Sequence, residues 1–208
     1  MKCIFFIDLD NTIYFTKPNE EVLMRGLYQL LEKEDLGVSD DEFQAAKAEM
    51  LRTPFQKVAH KYGFKEKATA NAVAFLANRQ VEKPLIPSKD YHYIKSLAGR
   101  KFIVTAGFPK QQLSKVKMLE IGNDFEGVYV VDVSKTNKKE VFEELIKEYN
   151  LNKEEILIIG DDADSEIKFG LELGIETFLL DPDDKYTAAK TTYRGTDFSN
   201  LHASTGQI

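Results

Sequence analysis

The stretch Ile4-Phe5-Phe6-Ile7-Asp8-Leu9-Asp10-Asn11-Thr12 decides how this chain is read. A run of β-favouring apolar residues ends abruptly in two carboxylates separated by one residue. A buried strand normally ends in a turn. Two carboxylates this close repel each other, and one pKa rises unless a cation sits between them. A pair of acids just past the C-terminal end of a strand is what a metal-dependent site on an open α/β sheet needs.

Four further apolar runs follow the first, Cys3–Ile7: Phe102–Thr105, Val128–Val131, Ile156–Ile159 and Thr177–Leu180. They are rich in Ile, Val, Phe and Tyr and alternate little with polar residues, as strands buried on both faces do. Helical patterns lie between them. Ser88–Ala98 and Gln111–Ile121 each carry apolar residues at helical spacing before a glycine, Asn137-x-x-Glu140 forms a capping box ahead of Val141, Phe142, Leu145 and Ile146, and Ser165–Leu173 precedes Gly174. Strands alternating with helices predict an α/β fold with a doubly wound parallel sheet. Residues 15–84 break the alternation. Leu23, Leu27, Leu30 and Leu31 make one stripe, Ser39-Asp40-Asp41-Glu42 is a capping box, Phe55, Val58 and Tyr62 end at Gly63, and Ala68–Asn78 is Ala-rich. The expectation is an α/β core from residues 1–14 and 85–208, interrupted by a helical insert over 15–84. The last residues, from Ala203, show no pattern.

Polar residues collect at the strand ends. The first run ends in Asp8 and Asp10, the second in Thr105-Ala106-Gly107, and the fourth in Gly160-Asp161-Asp162-Ala163-Asp164-Ser165-Glu166. In open α/β sheets that edge is where ligands bind. Each signal alone has a plainer explanation: a turn or cap for Asp8 and Asp10, a core hydroxyl for Thr105, a loop for Gly160–Asp162. An EF-hand is excluded, since Ile13 takes the required glycine position and Asn19 the bidentate acid. The coincidence of all three at successive strand ends favours a functional edge.

Composition narrows the partners. The 208 residues carry a net charge of −6, 43% hydrophobic residues and one cysteine. An acidic chain without a basic tract is a poor match for nucleic acid or a membrane surface. Cys3 alone makes neither a disulfide nor a thiolate metal site within one chain. No window has the apolar length of a membrane span, and Lys2 is followed by only five apolar residues before Asp8, so no signal peptide is read and a cytoplasmic location is expected.

Together, these residues resemble the haloacid dehalogenase-like (HAD) hydrolase superfamily over nearly the whole chain. Asp8-Leu9-Asp10-Asn11-Thr12 is similar to its nucleophile signature, Thr105 to its second, and Gly160-Asp161 through Glu166 to its acidic last signature, with Glu166 where Asp is commoner. The insert falls where the family carries a small α-helical cap on a Rossmann-like core. The resemblance implies a Mg²⁺-dependent phosphatase acting on a small phosphorylated metabolite through an aspartyl-phosphate. Asp8 is then the nucleophile and Asp10 the general acid and base. Thr105 and the Ala106 amide bind phosphate. Asp8, the Asp10 carbonyl and Asp161 hold magnesium, with Glu166 and Asp162 orienting the site or one of them reaching the metal. The signature lysine is assigned to Lys135, just outside the cap at Asn137, with Lys138 as the alternative phosphate-binding lysine. His60, His92 and His202 lie away from every signature, and Arg25, Arg52, Lys57, His60 and Arg79 of the insert read as surface charges. A phosphomutase, a dehalogenase, which lacks the second acid and needs no metal, and a silent binding domain are the competing readings.

Overall fold

A computed structural model describes residues 1–133 and 135–206. Six parallel strands form one sheet in the order β3-β2-β1-β4-β5-β6. They are β1 (Ile4–Ile7), β2 (Arg100–Ala106), β3 (Gly127–Val131), β4 (Ile156–Gly160), β5 (Glu176–Leu180) and β6 (Tyr193–Gly195). The five anticipated strands are present. The sixth is added at the edge, and it is short and only half-buried, so no apolar run announces it. Every residue of β1 is buried: the strand lies between β2 and β4, with Ile7 opposite both Ile103 and Ile159, and helices cover both faces of the sheet. The sheet reverses direction of winding at β1, so the β1 end opens into the crevice where such sheets bind ligands.

The two faces of the sheet divide the core. Phe5, Ile7, Ile103, Leu157 and Ile159 pack with Tyr91 and Ile94 of α5 (Tyr91–Ser96), Val116 of α6 (Pro109–Met118) and Leu201 of α9 (Leu201–Thr205). Ile4, Phe6, Phe102, Val104 and Ile158 pack with Phe142 and Leu145 of α7 (Lys138–Glu148). Phe6 and Phe142 stack with centroids 5.4 Å apart. The helix expected over Ser165–Leu173 is shorter: α8 spans Lys168–Glu172, after an irregular turn over Ala163–Ile167 in which Ser165 leaves helical geometry. The patternless tail from Ala203 continues α9 as far as Thr205.

Helices α1 (Glu20–Leu31), α2 (Asp40–Met50), α3 (Phe55–Tyr62) and α4 (Glu66–Asn78) follow β1. Ser39 caps α2 in the expected box with Glu42. Leu27, Leu31, Phe43, Ala46, Val58 and Ala72 build a buried cluster of their own, while Leu23, one turn earlier on α1, belongs to the core cluster. Asn19 joins the two chain crossings. Its buried amide donates to the carbonyls of Phe15 and Ile86, both at 2.9 Å, and accepts from the Ile86 N–H at 2.7 Å. At the far end, the Asn11 amide donates to the Leu51 carbonyl at 3.3 Å, and Arg52 pairs with Asp183 at 2.8 Å. No helix among the described residues is long and apolar enough to cross a membrane.

The clamp at Asn19 yields a stability test. Replacing Asn19 by Ala strands the Ile86 N–H and removes three hydrogen bonds, so Asn19→Ala should destabilise the protein by about 2–3 kcal/mol in urea unfolding. A loss below about 0.5 kcal/mol, the scale of an ordinary surface change, would show that the crossings are held by other contacts.

Candidate active site

The C-terminal edge of the sheet gathers the expected acids. Asp8 follows β1 and is buried, with its N–H donating to the Ile159 carbonyl of β4 at 2.9 Å. That bond brings the β1 end beside the Gly160-Asp161 loop. Thr12, fully buried, donates across the same gap to Asp161 Oδ1 at 3.4 Å. Carboxylate oxygens of Asp8, Asp161 and Glu166 lie within 4.8 Å of one another. At an effective dielectric of about 20, each such pair repels by roughly 3–4 kcal/mol if both partners are ionised.

One buried cation answers this cluster. Lys138 Nζ donates to Asp8 Oδ1 and to Glu166 Oε2, both at 2.7 Å. Burial works against its charge, but Asp8 and Glu166 outweigh that and raise its pKa well above the ordinary lysine value. Lys135, the lysine preferred from sequence, stands elsewhere: its side chain is 78% exposed, against 6% for Lys138, and it pairs with Asp132 at 3.0 Å. The reason is helix phase. Asn137 does cap α7, accepting from the Glu140 N–H at 3.1 Å, so Lys138 is the first helical residue and shares the buried stripe with Phe142 and Leu145.

A single lysine does not balance three acids. Asp8 is pushed up to about 7 by burial, with Glu166 and Asp10 adding to the rise and Lys138 opposing it. Asp161 is held well above the ordinary carboxylate value by burial, then by Glu166 and Asp8. An all-oxygen set with this excess of negative charge fits a hard divalent cation such as Mg²⁺. Glu166 is the most constrained member. Its Oε2 takes Lys138, its Oε1 accepts from the Asp162 N–H at 2.9 Å, and a Cβ built on Gly160 would lie 2.1 Å from that same Oε1. Asp162 turns away to cap the following turn, accepting from the Asp164 N–H at 2.9 Å.

Asp10 belongs to a second group. Its Oδ1 accepts from Lys115 Nζ at 2.7 Å and from the Tyr14 hydroxyl, and its Oδ2 accepts from Gln112 Nε2 at 2.6 Å. Burial opposes ionisation, yet Lys115, Tyr14 and Gln112 together hold its carboxyl below the ordinary value. Thr105, buried at the end of β2, accepts from the same Gln112 nitrogen at 2.7 Å, and Ala106 closes the strand beside it. Sequence reasoning did not find Tyr14, Gln112 or Lys115. Along α6 and just past it the apolar periodicity runs through Leu113, Val116, Leu119 and Ile121; all but the exposed Leu113 are buried, and Gln112 and Lys115 share that buried side without an apolar signal. Polar residues at i and i+3, directly after the Thr105-Ala106-Gly107 strand end, were the available signal. Of the basic residues in the insert, Arg25 pairs with Glu21 on the surface and Arg79 donates to the Val22 and Leu23 carbonyls.

The comparisons agree with this architecture. The profile of the haloacid dehalogenase-like hydrolases matches residues 1–174, and the chain belongs to that family. Among curated proteins, glyceraldehyde 3-phosphate phosphatase of Pyrococcus abyssi is 24% identical over 191 residues, covering 85% of this chain and 80% of that protein. Among solved structures, the HAD-hydrolase YfnB of Bacillus subtilis bound to magnesium superposes with a TM-score of 0.72 at 19% identity, covering 98% of each chain. A HAD phosphatase from Thermococcus onnurineus gives 0.65 at 18% identity, covering 99% of this chain and 98% of its own.

The acid cluster makes metal-free stability depend on pH. An acid whose folded pKa is raised keeps its proton in the folded state after the unfolded chain has lost it, so stability falls as pH rises between the two values. For Asp8 that window runs from the ordinary 3.8 to about 7, and Asp161 acts in the same direction. Asp10, held low, is ionised in both states across the window and adds no slope there. Thermal unfolding in chelator should therefore show a melting temperature that drops from pH 5 to pH 7.5. A melting temperature that stays level over that interval would mean that Asp8 and Asp161 are ionised without a further cation.

Proposed function

We propose that this protein is a Mg²⁺-dependent phosphatase acting on a small phosphorylated metabolite through an aspartyl-phosphate. The observation that carries the reading is the deficit of positive charge around Asp8: three carboxylate side chains within 4.8 Å share one lysine. A site built this way requires a cation, and a dianionic phosphate ester cannot approach Asp8 until that charge is supplied. The names of the Pyrococcus and Thermococcus relatives point the same way.

Asp8 attacks phosphorus in line with the ester oxygen, forming the Asp8–phosphate bond as the bond to the leaving oxygen breaks. Asp10 takes up a solvent proton as the substrate's negative charge arrives beside it, gives that proton to the leaving oxygen, and later takes one from the water that hydrolyses the aspartyl-phosphate, returning Asp8. Thr105 and the Ala106 amide hold phosphate oxygens, and Lys138 stabilises the charge that spreads over the transferring group. Glu166, occupied on both oxygens, orients Lys138 and the 161–162 backbone. Asp8, the Asp10 carbonyl and Asp161 would hold the magnesium, which would supply the charge that keeps Asp8 ionised and screens it from the substrate. The helices over residues 15–84 form a cap that excludes water and reads the leaving group, with Asn19 holding its hinge. Asp10 with this acidic cluster separates the site from a dehalogenase, which needs neither.

Phosphate release from a panel of phosphorylated metabolites, including glyceraldehyde 3-phosphate, and from an aryl phosphate tests the reading. Release should require Mg²⁺, stop in chelator and fall by at least about a thousandfold in Asp8→Asn, which removes the nucleophile. Lys138→Met should lower kcat by about a hundredfold or more, while Lys135→Met should stay within about twofold. Release that persists in Asp8→Asn, or none from any ester with metal present, would sink the proposal.

A further inference from the structure

Gln112 and Lys115 sit one turn apart on α6, both buried, and both reach the site from outside the signature residues. A lysine buried for packing alone is costly, and an apolar side chain would fill the same space with less penalty. Their bonding is directional. Without substrate, Asp10 Oδ1 takes both Lys115 and Tyr14, and Oδ2 accepts from Gln112, which turns its NH₂ toward it. The second proton of that NH₂ goes to Thr105 Oγ1. A hydroxyl that accepts there keeps its own proton to give, and among the described residues no acceptor takes it. The nearest chemistry at this strand end that needs a donor is a phosphate oxygen. Gly107, at φ +146°, leaves the room: a Cβ there would come within 3.1 Å of the Gln112 side chain. Lys115 also lies over the Tyr14 ring, 5.9 Å from its centroid, so Tyr14 and Lys115 brace the same Asp10 oxygen.

We propose that Gln112 and Lys115 are positioning residues: Gln112 sets the Thr105 hydroxyl as a donor toward the substrate phosphate, and Lys115, with Tyr14, seats the Asp10 carboxylate for proton transfer. The proposal rests on the phosphatase reading above. It places phosphate binding and proton transfer under the control of one helix face, with the Gln112 amide as the link between them.

Two kinetic signatures separate this role from a structural one. Lys115→Met should lower kcat/KM for glycerol phosphate at least about tenfold more than for 4-nitrophenyl phosphate, because an alkoxide needs a proton to leave and nitrophenolate does not. Lys115→Arg, which keeps the cation, should recover most of that ratio. Gln112→Met should raise the inhibition constant of inorganic phosphate about tenfold whichever ester is used, the scale of one lost hydrogen bond to a charged group. If Gln112→Met does not fold, as judged by thermal unfolding, Gln112→Asn serves, being too short to bridge Asp10 and Thr105. Equal losses on both esters in Lys115→Met, or unchanged phosphate inhibition in the Gln112 variant, would overturn the proposal. If the unaltered protein does not hydrolyse glycerol phosphate, the best alkyl ester of the panel takes its place; if it hydrolyses no ester at all, the phosphatase reading fails. The Gln112 role is then judged by calorimetric binding of inorganic phosphate with Mg²⁺ present: binding about tenfold weaker in the variant supports it, and equal binding overturns it.

Discussion

The Lys138 ammonium, held at 2.7 Å from both Asp8 and Glu166, is the contact on which the site depends. Removing one partner of such a buried arrangement leaves uncompensated charge, at a cost of about 3–5 kcal/mol. Its position follows from the core. Phe142 and Leu145 pin α7 to the sheet, and the stripe they define carries Lys138 to the strand ends one turn earlier. The same apolar packing that stabilises the sheet therefore aims the cation. Since that cation is outnumbered, the cluster stays under tension, with Asp8 and Asp161 both held above their ordinary pKa.

Around this contact, the strand ends divide the chemistry. The β1 and β4 ends carry the acids around Lys138, and the β2 end carries Thr105 and the approach to α6. Asp8 and Asp10 face these two groups separately, one paired with Lys138 and the other with Lys115. Two acids so close in sequence thus acquire opposite shifts from different neighbours, one raised and one lowered.

Much of this was legible in the sequence, for physical reasons. Central strands buried on both faces must be continuous apolar runs, and β1, β4 and β5 announce themselves as such. Tyr193-Arg194-Gly195 gives no such sign, because a three-residue edge strand needs no apolar run. The strand-end position of Asp8, Thr105 and Asp161 was readable because it depends on local sequence alone. The lysine was not, since Lys135 and Lys138 flank the same cap and only the rotation of α7 against the sheet tells them apart. Gln112 and Lys115 escaped for a related reason. Apolar periodicity finds the face of a helix that contributes to the core, and on α6 part of the buried face is polar.

The close approach of Gly160 to Glu166 has an evolutionary side. The carboxylate fills the space a side chain at position 160 would occupy, with only 2.1 Å between a built Cβ and Oε1. The two positions are therefore coupled. Alanine at 160 would meet both the Cγ and the carboxylate of Glu166, and a shorter acid at 166 leaves a void where Glu166 now bonds Lys138 and the Asp162 amide. Neither site can drift by itself without disturbing the buried lysine, so their substitutions are epistatic.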